Sequence, residues 1–330
     1  MITVIITALI CSFALSVAVG LIIIPILRRL KAGQTIKRNG PVWHLSKEGV
    51  PTMGGFIFIV GMLITISAIG FKSLLDGEYA HFVMLLFALI YGIIGFLDDY
   101  QKVKKRVNTG LTSIQKFVLQ LIVAVVFILL LRNMGYLTPN LYVPFIHETI
   151  ILPEPLYLVF AAFVIVAIVN AFNLTDGVDG LLTGVTLPVA VFFVAVSVYW
   201  GMLAQGIFAA ALTGGLAAFL IFNFNPAKVF MGDTGSLFLG GCVCALLFAF
   251  DMPLIFLPLG IVYIIENLSV VIQVLYFKIT HGKRFFKMAP IHHHFEKSGW
   301  NERKVFAVFT FVSAIFSLIA WLGVMERYIK

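Results

Sequence analysis

Apolar residues run in long blocks along this chain, with neither the alternation of a half-buried strand nor the single stripe of a surface helix. Ile2 to Leu27 forms the first block, which stops at Arg28 and Arg29. Nine more follow, at roughly 52–71, 80–97, 113–131, 156–172, 180–200, 205–223, 235–250, 253–277 and 305–325. A helix needs about 20 apolar residues to cross the hydrocarbon core of a bilayer. The pattern therefore predicts an all-α polytopic protein with ten transmembrane helices in one membrane domain, 1–330. Glu266, Asn267 and Gln273 interrupt the ninth block, where a bend or break is expected. The first block has no basic segment before it and is too long for a cleaved signal, so it reads as a retained span. Segment 133–155 carries four prolines around Tyr142, Val143, Phe145 and Ile146, and predicts a short hairpin at a surface, with His147 and Glu148 in solvent.

Composition supports a lipid environment. Charged residues make up 12% of the 330 positions, about half the share in a soluble domain. Cys11, Cys242 and Cys244 all fall inside apolar blocks, which gives no disulfide framework and suits small buried side chains.

The charge pattern sets an orientation. Ten spans put both termini on one side, and the connections 28–51, 98–112, 173–179, 224–234 and 278–304 on the other. With Lys116 at the start of the fourth block, those connections hold 19 of the 23 Lys and Arg residues. The positive-inside rule makes that side cytoplasmic and the termini external. The net charge of +8 is thus largely topology, and needs no nucleic acid to explain it.

The polar motifs all belong to the basic side. They are SKEGVPTMGG (46–55), the Asp98–Asp99 pair with Lys102, NAFNLTDGVDG (170–180), FNFNPAKVFMGDTGS (222–236) and PIHHHFE (290–296). Each has a plain reading. Adjacent aspartates at a helix end can be a solvated patch, Asp-Gly pairs are common in turns, and Asp233 or Thr234 can cap the following helix. Asn173, Asp176 and Asp179 recur every three residues, which places them on one face, and the glycines between them admit a ligand to the backbone. Three successive histidines without a nearby cysteine lack zinc spacing, and suit contact with phosphate. As a set, the motifs fit a Mg²⁺-dependent phosphate site. Mg²⁺ takes carboxylate, water and phosphate oxygens and relieves repulsion among them, and phosphoryl transfer is mainly positioning and electrostatics. A site at the inner surface, among membrane helices, expects one reactant from the lipid phase.

FLDDYQKV, NLTDGVDG, FNPAKVFMGDTGS and PIHHHFE, in this order and spacing, resemble the phospho-N-acetylmuramoyl-pentapeptide-transferase family, MraY. That family is a branch of the polyprenyl-phosphate N-acetylhexosamine-1-phosphate transferases. The likeness runs the length of the chain. The residues flanking the triple histidine favour this branch over GlcNAc-1-phosphate relatives. The resemblance implies transfer of phospho-MurNAc-pentapeptide from UDP-MurNAc-pentapeptide to undecaprenyl phosphate, with Mg²⁺, in the bacterial plasma membrane; a homodimer is plausible for the family. It assigns catalytic positions to Asp98, Asp99, Asp233 and His292, with Asp233 a metal ligand. It assigns substrate contacts to Lys47, Thr52, Asn173, Asp176, Asn223, Ser236, Gln273, His293 and His294, phosphate-facing positions to Lys102 and Lys116, and a uracil pocket to Phe230 and the Val178–Asp179 backbone. The rival from another class is a transporter, with Glu266, Asn267 and Gln273 lining a midplane site. Acids crowded at one surface and the lack of a visible repeat speak against it.

Overall fold

The computed structural model describes residues 1–30, 49–105, 110–325 and 327. The protein is a bundle of helices. In chain order these are α1 (Ile2–Arg29), α2 (Phe56–Ile69), α3 (Phe71–Leu75), α4 (Ala80–Lys105), α5 (Ser113–Asn133), α6 (Glu154–Thr175), α7 (Leu181–Trp200), α8 (Leu203–Asn223), α9 (Gly232–Ala249), α10 (Phe256–Leu259), α11 (Ile261–Ile279), α12 (Ile291–Glu296) and α13 (Glu302–Met325). Between α5 and α6, strands β1 (Asn140–Val143) and β2 (Glu148–Ile151) form an antiparallel hairpin with Asn140 opposite Ile151 and Val143 opposite Glu148. This is the hairpin expected from the prolines. His147 is exposed as anticipated, yet it is also held, with Nδ1 2.9 Å from Tyr142 Oη.

Helix ends follow local chemistry. Thr112 Oγ1 accepts from Gln115 N at 3.2 Å and Gln115 Oε1 accepts from Thr112 N at 3.0 Å, a reciprocal box that starts α5. Lys102, Lys104 and Lys105 fill the last turn of α4 and Arg28 and Arg29 that of α1, where cations complement exposed carbonyls.

The long helices α8 and α9 form the centre and are buried nearly all round. α9 packs against α4 on one side and α6 on the other; α8 packs against α1, α2 and α7; α13 lies along α7. Small residues on the central pair, such as Ala209, Ala210, Ala211 and Gly240, allow this close approach. By contrast α1, α5, α11 and α13 expose large apolar side chains, Leu21, Ile122, Leu275 and Leu318 among them, as helices facing lipid do.

Among the described residues, nine helices are long and apolar enough to cross a membrane. The second of the ten expected spans differs. α2 has only 14 residues, about 21 Å of rise against a hydrocarbon core of about 30 Å. The chain pauses at Gly70, whose carbonyl accepts from His81 Nε2 at 2.9 Å, before continuing as α3. The span at 253–277 is broken, but not at its polar residues: a 3₁₀ turn at Pro253–Ile255 and the single turn α10 end at Gly260, and α11 then runs unbroken through Glu266, Asn267 and Gln273. The third span runs further than its apolar block. α4 continues through Lys105, so Asp98, Asp99 and Lys102 stand on helix rather than in the following loop. Their spacing explains this, since Asp98 and Lys102 pair one turn apart.

Candidate active site

α4 and α9 meet at Gly95. A Cβ there would strike the carbonyl of Asp233, so the absence of a side chain lets α4 lie against the first turn of α9. Asp98 and Asp99 follow one turn later, and about 100° of helix rotation separates them. They consequently face different neighbours. Asp99, 3% exposed, accepts at Oδ2 from Thr234 N and from Thr234 Oγ1, both at 2.8 Å. It thus caps α9 from across the bundle, where the sequence had suggested Asp233 or Thr234 capping its own helix; no side chain of α9 does so. Gly232 adopts φ +73°, a left-handed turn, and a Cβ on it would lie 2.6 Å from Asp99 Oδ2 and 2.7 Å from Thr52 Oγ1.

Asp98 faces the lysines. Its Oδ1 accepts from Leu111 N at 2.8 Å, and Lys102 Nζ lies 2.5 Å from its Oδ2. Lys102 also donates to Asp233 Oδ2 at 2.9 Å, as does Lys116 at 2.8 Å. Asn173 Nδ2 donates to Asp233 Oδ1 at 2.8 Å and to Ser236 Oγ at 2.9 Å. Three helices, α4, α5 and α6, therefore converge on one carboxylate of α9. The two ammonium groups assigned to phosphate by resemblance lie on Asp98 and Asp233 here.

The connection between α6 and α7 links this cage to two further clusters. Asn173 is in the cage. Asp176 sits outside the helices, and desolvation together with the charges of Asp233, Asp99 and Asp179 pushes its carboxyl up to about 8. Val178 is buried. Asp179 Oδ2 accepts from Ala227 N at 2.9 Å and Asn225 Nδ2 at 3.2 Å, and Asp179 N donates to Glu302 Oε2 at 3.3 Å. That backbone N–H, expected at uracil, is directed here to Glu302. A cavity of about 450 Å³ opens beside it, lined by Asn225, Glu296, Trp300, Asn301, Glu302 and Arg303.

The three histidines lie on the short helix α12 and diverge. His292 Nδ1 is 3.0 Å from Glu266 Oε2, His293 Nδ1 is 2.6 Å from Glu296 Oε2, and His294 Nδ1 accepts from Lys287 N at 3.1 Å. Gln273, on α11, accepts at Oε1 from Phe286 N at 2.8 Å and so braces the same loop. Asn223 is buried; its Nδ2 donates to Val229 O at 3.0 Å and its Oδ1 accepts from Thr183 Oγ1, which fixes the 224–230 turn. Phe230 is tied by its backbone to the first connection, its N donating to Pro51 O and its O accepting from Gly54 N, both at 2.8 Å. Lys47 lies outside the described residues. Glu266, read in the sequence as a possible midplane group, belongs instead to the histidine loop.

Carboxylate oxygens of Asp98, Asp99 and Asp233 lie within 4.8 Å of one another, and among the described residues they are the cluster able to hold a metal ion. An all-oxygen donor set suits a hard divalent cation.

The glycosyl transferase family 4 model matches residues 81–251, which include the whole carboxylate–lysine cage. Over 325 residues the chain is 44% identical to the phospho-N-acetylmuramoyl-pentapeptide-transferase of Clostridium botulinum strain Alaska E43, covering 97% of this chain and 96% of that protein. It is likewise 44% identical to the same-named protein of Staphylococcus carnosus, over 96% of this chain and 98% of that one. The chain belongs to the phospho-N-acetylmuramoyl-pentapeptide-transferase family. Family membership makes it a transferase and leaves the transporter reading without support, since Glu266 is already accounted for by His292. The α4, α6–α7, α9 and α12 residues that carried the resemblance contact one another at one end of this bundle.

Proposed function

We propose that this protein transfers phospho-MurNAc-pentapeptide from UDP-MurNAc-pentapeptide to undecaprenyl phosphate, releasing UMP and forming lipid I, at the cytoplasmic face of a bacterial plasma membrane. The observation that carries the reading is the cage in which Lys102, Lys116 and Asn173 hold Asp233 beside Asp98, at the end of membrane-crossing helices. There a water-soluble nucleotide and a lipid phosphate can meet. The basic bias of the connections supports a cytoplasmic location for that end.

In the reaction, an oxygen of the lipid phosphate forms a bond to the sugar-bearing phosphorus of the donor, and the bond from that phosphorus to the UMP oxygen breaks. A phosphate monoester has a second pKa of about 6, so the acceptor is already largely a dianion. Asp98, oriented by Leu111 N, takes the proton of the remaining monoanion. Lys102 and Lys116 stand where their charge offsets that of the diphosphate, and Asn173 keeps Asp233 aligned. Asp233, with Asp99 beside it, would hold Mg²⁺, which would supply charge neutralisation on the phosphates. Direct transfer needs no phospho-enzyme.

UMP release in detergent from UDP-MurNAc-pentapeptide and undecaprenyl phosphate is the expected result, with UDP-GlcNAc inert as donor. Labelled UMP should not exchange into the sugar nucleotide when lipid phosphate is removed. No UMP release would overturn the activity, and exchange would overturn the direct route.

A further inference from the structure

Glu266 and His292 form a pair that the proposed chemistry does not use. Both side chains are wholly buried, and Nδ1 of His292 lies 3.0 Å from Glu266 Oε2. Glu266 is set by its own helix. One turn earlier Tyr263 stacks on Phe172 of α6 at 4.0 Å and its hydroxyl meets Thr186 Oγ1 at 2.8 Å, which anchors α11 to both α6 and α7. The other ring nitrogen of His292, Nε2, has no hydrogen-bond partner among the described residues. It rests against Gly177, in the turn between Asp176 and Asp179, where any Cβ would collide with it. A buried ring nitrogen without a partner, aimed at a turn whose residues reach the cage on one side and Asn225 on the other, is placed to meet a ligand.

We propose that Glu266 is a positioning residue: its carboxylate accepts the Nδ1 proton of His292 and so presents Nε2 as a hydrogen-bond acceptor to the nucleotide sugar. An ionised carboxylate beside Nδ1 can only accept, so Nδ1 carries a proton, and in the neutral imidazole that leaves the lone pair on Nε2. Phosphate oxygens, which only accept, cannot satisfy that lone pair. A hydroxyl can, and hydroxyls are what the nucleoside and sugar parts of the donor offer. This inference rests on the transferase reading for the identity of the ligand, and on the protein alone for the tautomer.

The test begins with ¹⁵N spectra of histidine-labelled protein without substrate, with His292 assigned by its loss in His292→Gln. Nδ1 should be the protonated nitrogen. Glu266→Gln keeps an acceptor oxygen and should retain this state, whereas Glu266→Ala should give a mixture of tautomers. Calorimetric affinity for UDP-MurNAc-pentapeptide should then fall roughly tenfold in Glu266→Ala and in His292→Gln. It should fall no further in the double variant, and Glu266→Gln should restore most of it. A purely structural Glu266 would show additive losses and no rescue by glutamine. Nδ1 unprotonated in the unaltered protein, or additive losses, would overturn the proposal. The spectrum of the unaltered protein decides the tautomer even if Glu266→Ala does not fold. Failure of the unaltered protein to release UMP would count against the transferase reading and leave the tautomer result standing.

Discussion

Replacing Asp99 separates the two neighbouring aspartates by experiment. Its Oδ2 receives two hydrogen bonds from Thr234 at the start of α9, and the group is 3% exposed. Hydrogen bonds to charged groups contribute about 2 kcal/mol each. Removing both, and leaving a buried N–H unpaired, works against the relief gained by removing a negative charge beside Asp98 and Asp233. Asp99→Ala should therefore cost about 3 kcal/mol. Asp99→Asn keeps an accepting oxygen and should cost about 1 kcal/mol, the difference between charged and neutral bonds. For a chain of this size the alanine variant should lose roughly 4 °C of melting midpoint. The assay is the fraction of monodisperse protein left after heating in detergent. Thr234→Val should lower the midpoint in the unaltered protein and have little effect on Asp99→Ala, because the two side chains form one contact. If Asp99→Ala and Asp99→Asn melt together, or if Thr234→Val costs as much in the alanine background, the role of Asp99 as a cap on α9 is refuted.

Chelator should abolish UMP release and Mg²⁺ or Mn²⁺ should restore it, with Asp233→Asn raising the metal requirement or ending turnover; full activity in excess chelator would contradict the metal reading. Asp176, raised to about 8 in the folded protein from an ordinary value of 3.8, keeps a proton that the unfolded chain releases. Stability measured without divalent cation should then decline as pH rises from about 4 to about 8 and level off beyond, since the folded state binds more protons in that window. Asp176→Asn should flatten this slope, and an unchanged slope would show the carboxyl ionised. A reporter fused after Lys297 should be cytoplasmic and one placed within 139–150 external; an external signal at 297 would displace the site from the cytoplasm.

The membrane spans were legible because runs of about 20 apolar residues declare themselves without tertiary information. The polar motifs were legible for a related reason, as charge is rare in such a chain and its clusters stand out. Their division of labour was not. Asp98 and Asp99 are adjacent in sequence, and only the docking of α9 shows that one turns to Lys102 and the other to Thr234. Glu266 and His292 are 26 positions apart, on helices joined by an irregular turn, so nothing local paired them. The lysines read as phosphate contacts because sequence order hides Asp233, which lies more than 100 residues from either. The shortness of α2 was masked because the expected block 52–71 also takes in residues 52–55 ahead of the helix and Gly70 and Phe71 beyond it.

The end of α6 and the connection after it serve all three polar clusters within seven residues: Asn173 reaches Asp233, Gly177 receives His292, and Asp179 holds Ala227 and Glu302. Such an arrangement removes independent adjustment. Lengthening the connection by a single residue between Leu174 and Gly177 would leave every contact chemically possible, yet no one placement of the chain could satisfy them together. Length, rather than side-chain identity alone, is under constraint along this stretch. A substitution there can be offset locally, whereas an insertion shifts the three clusters out of phase with one another.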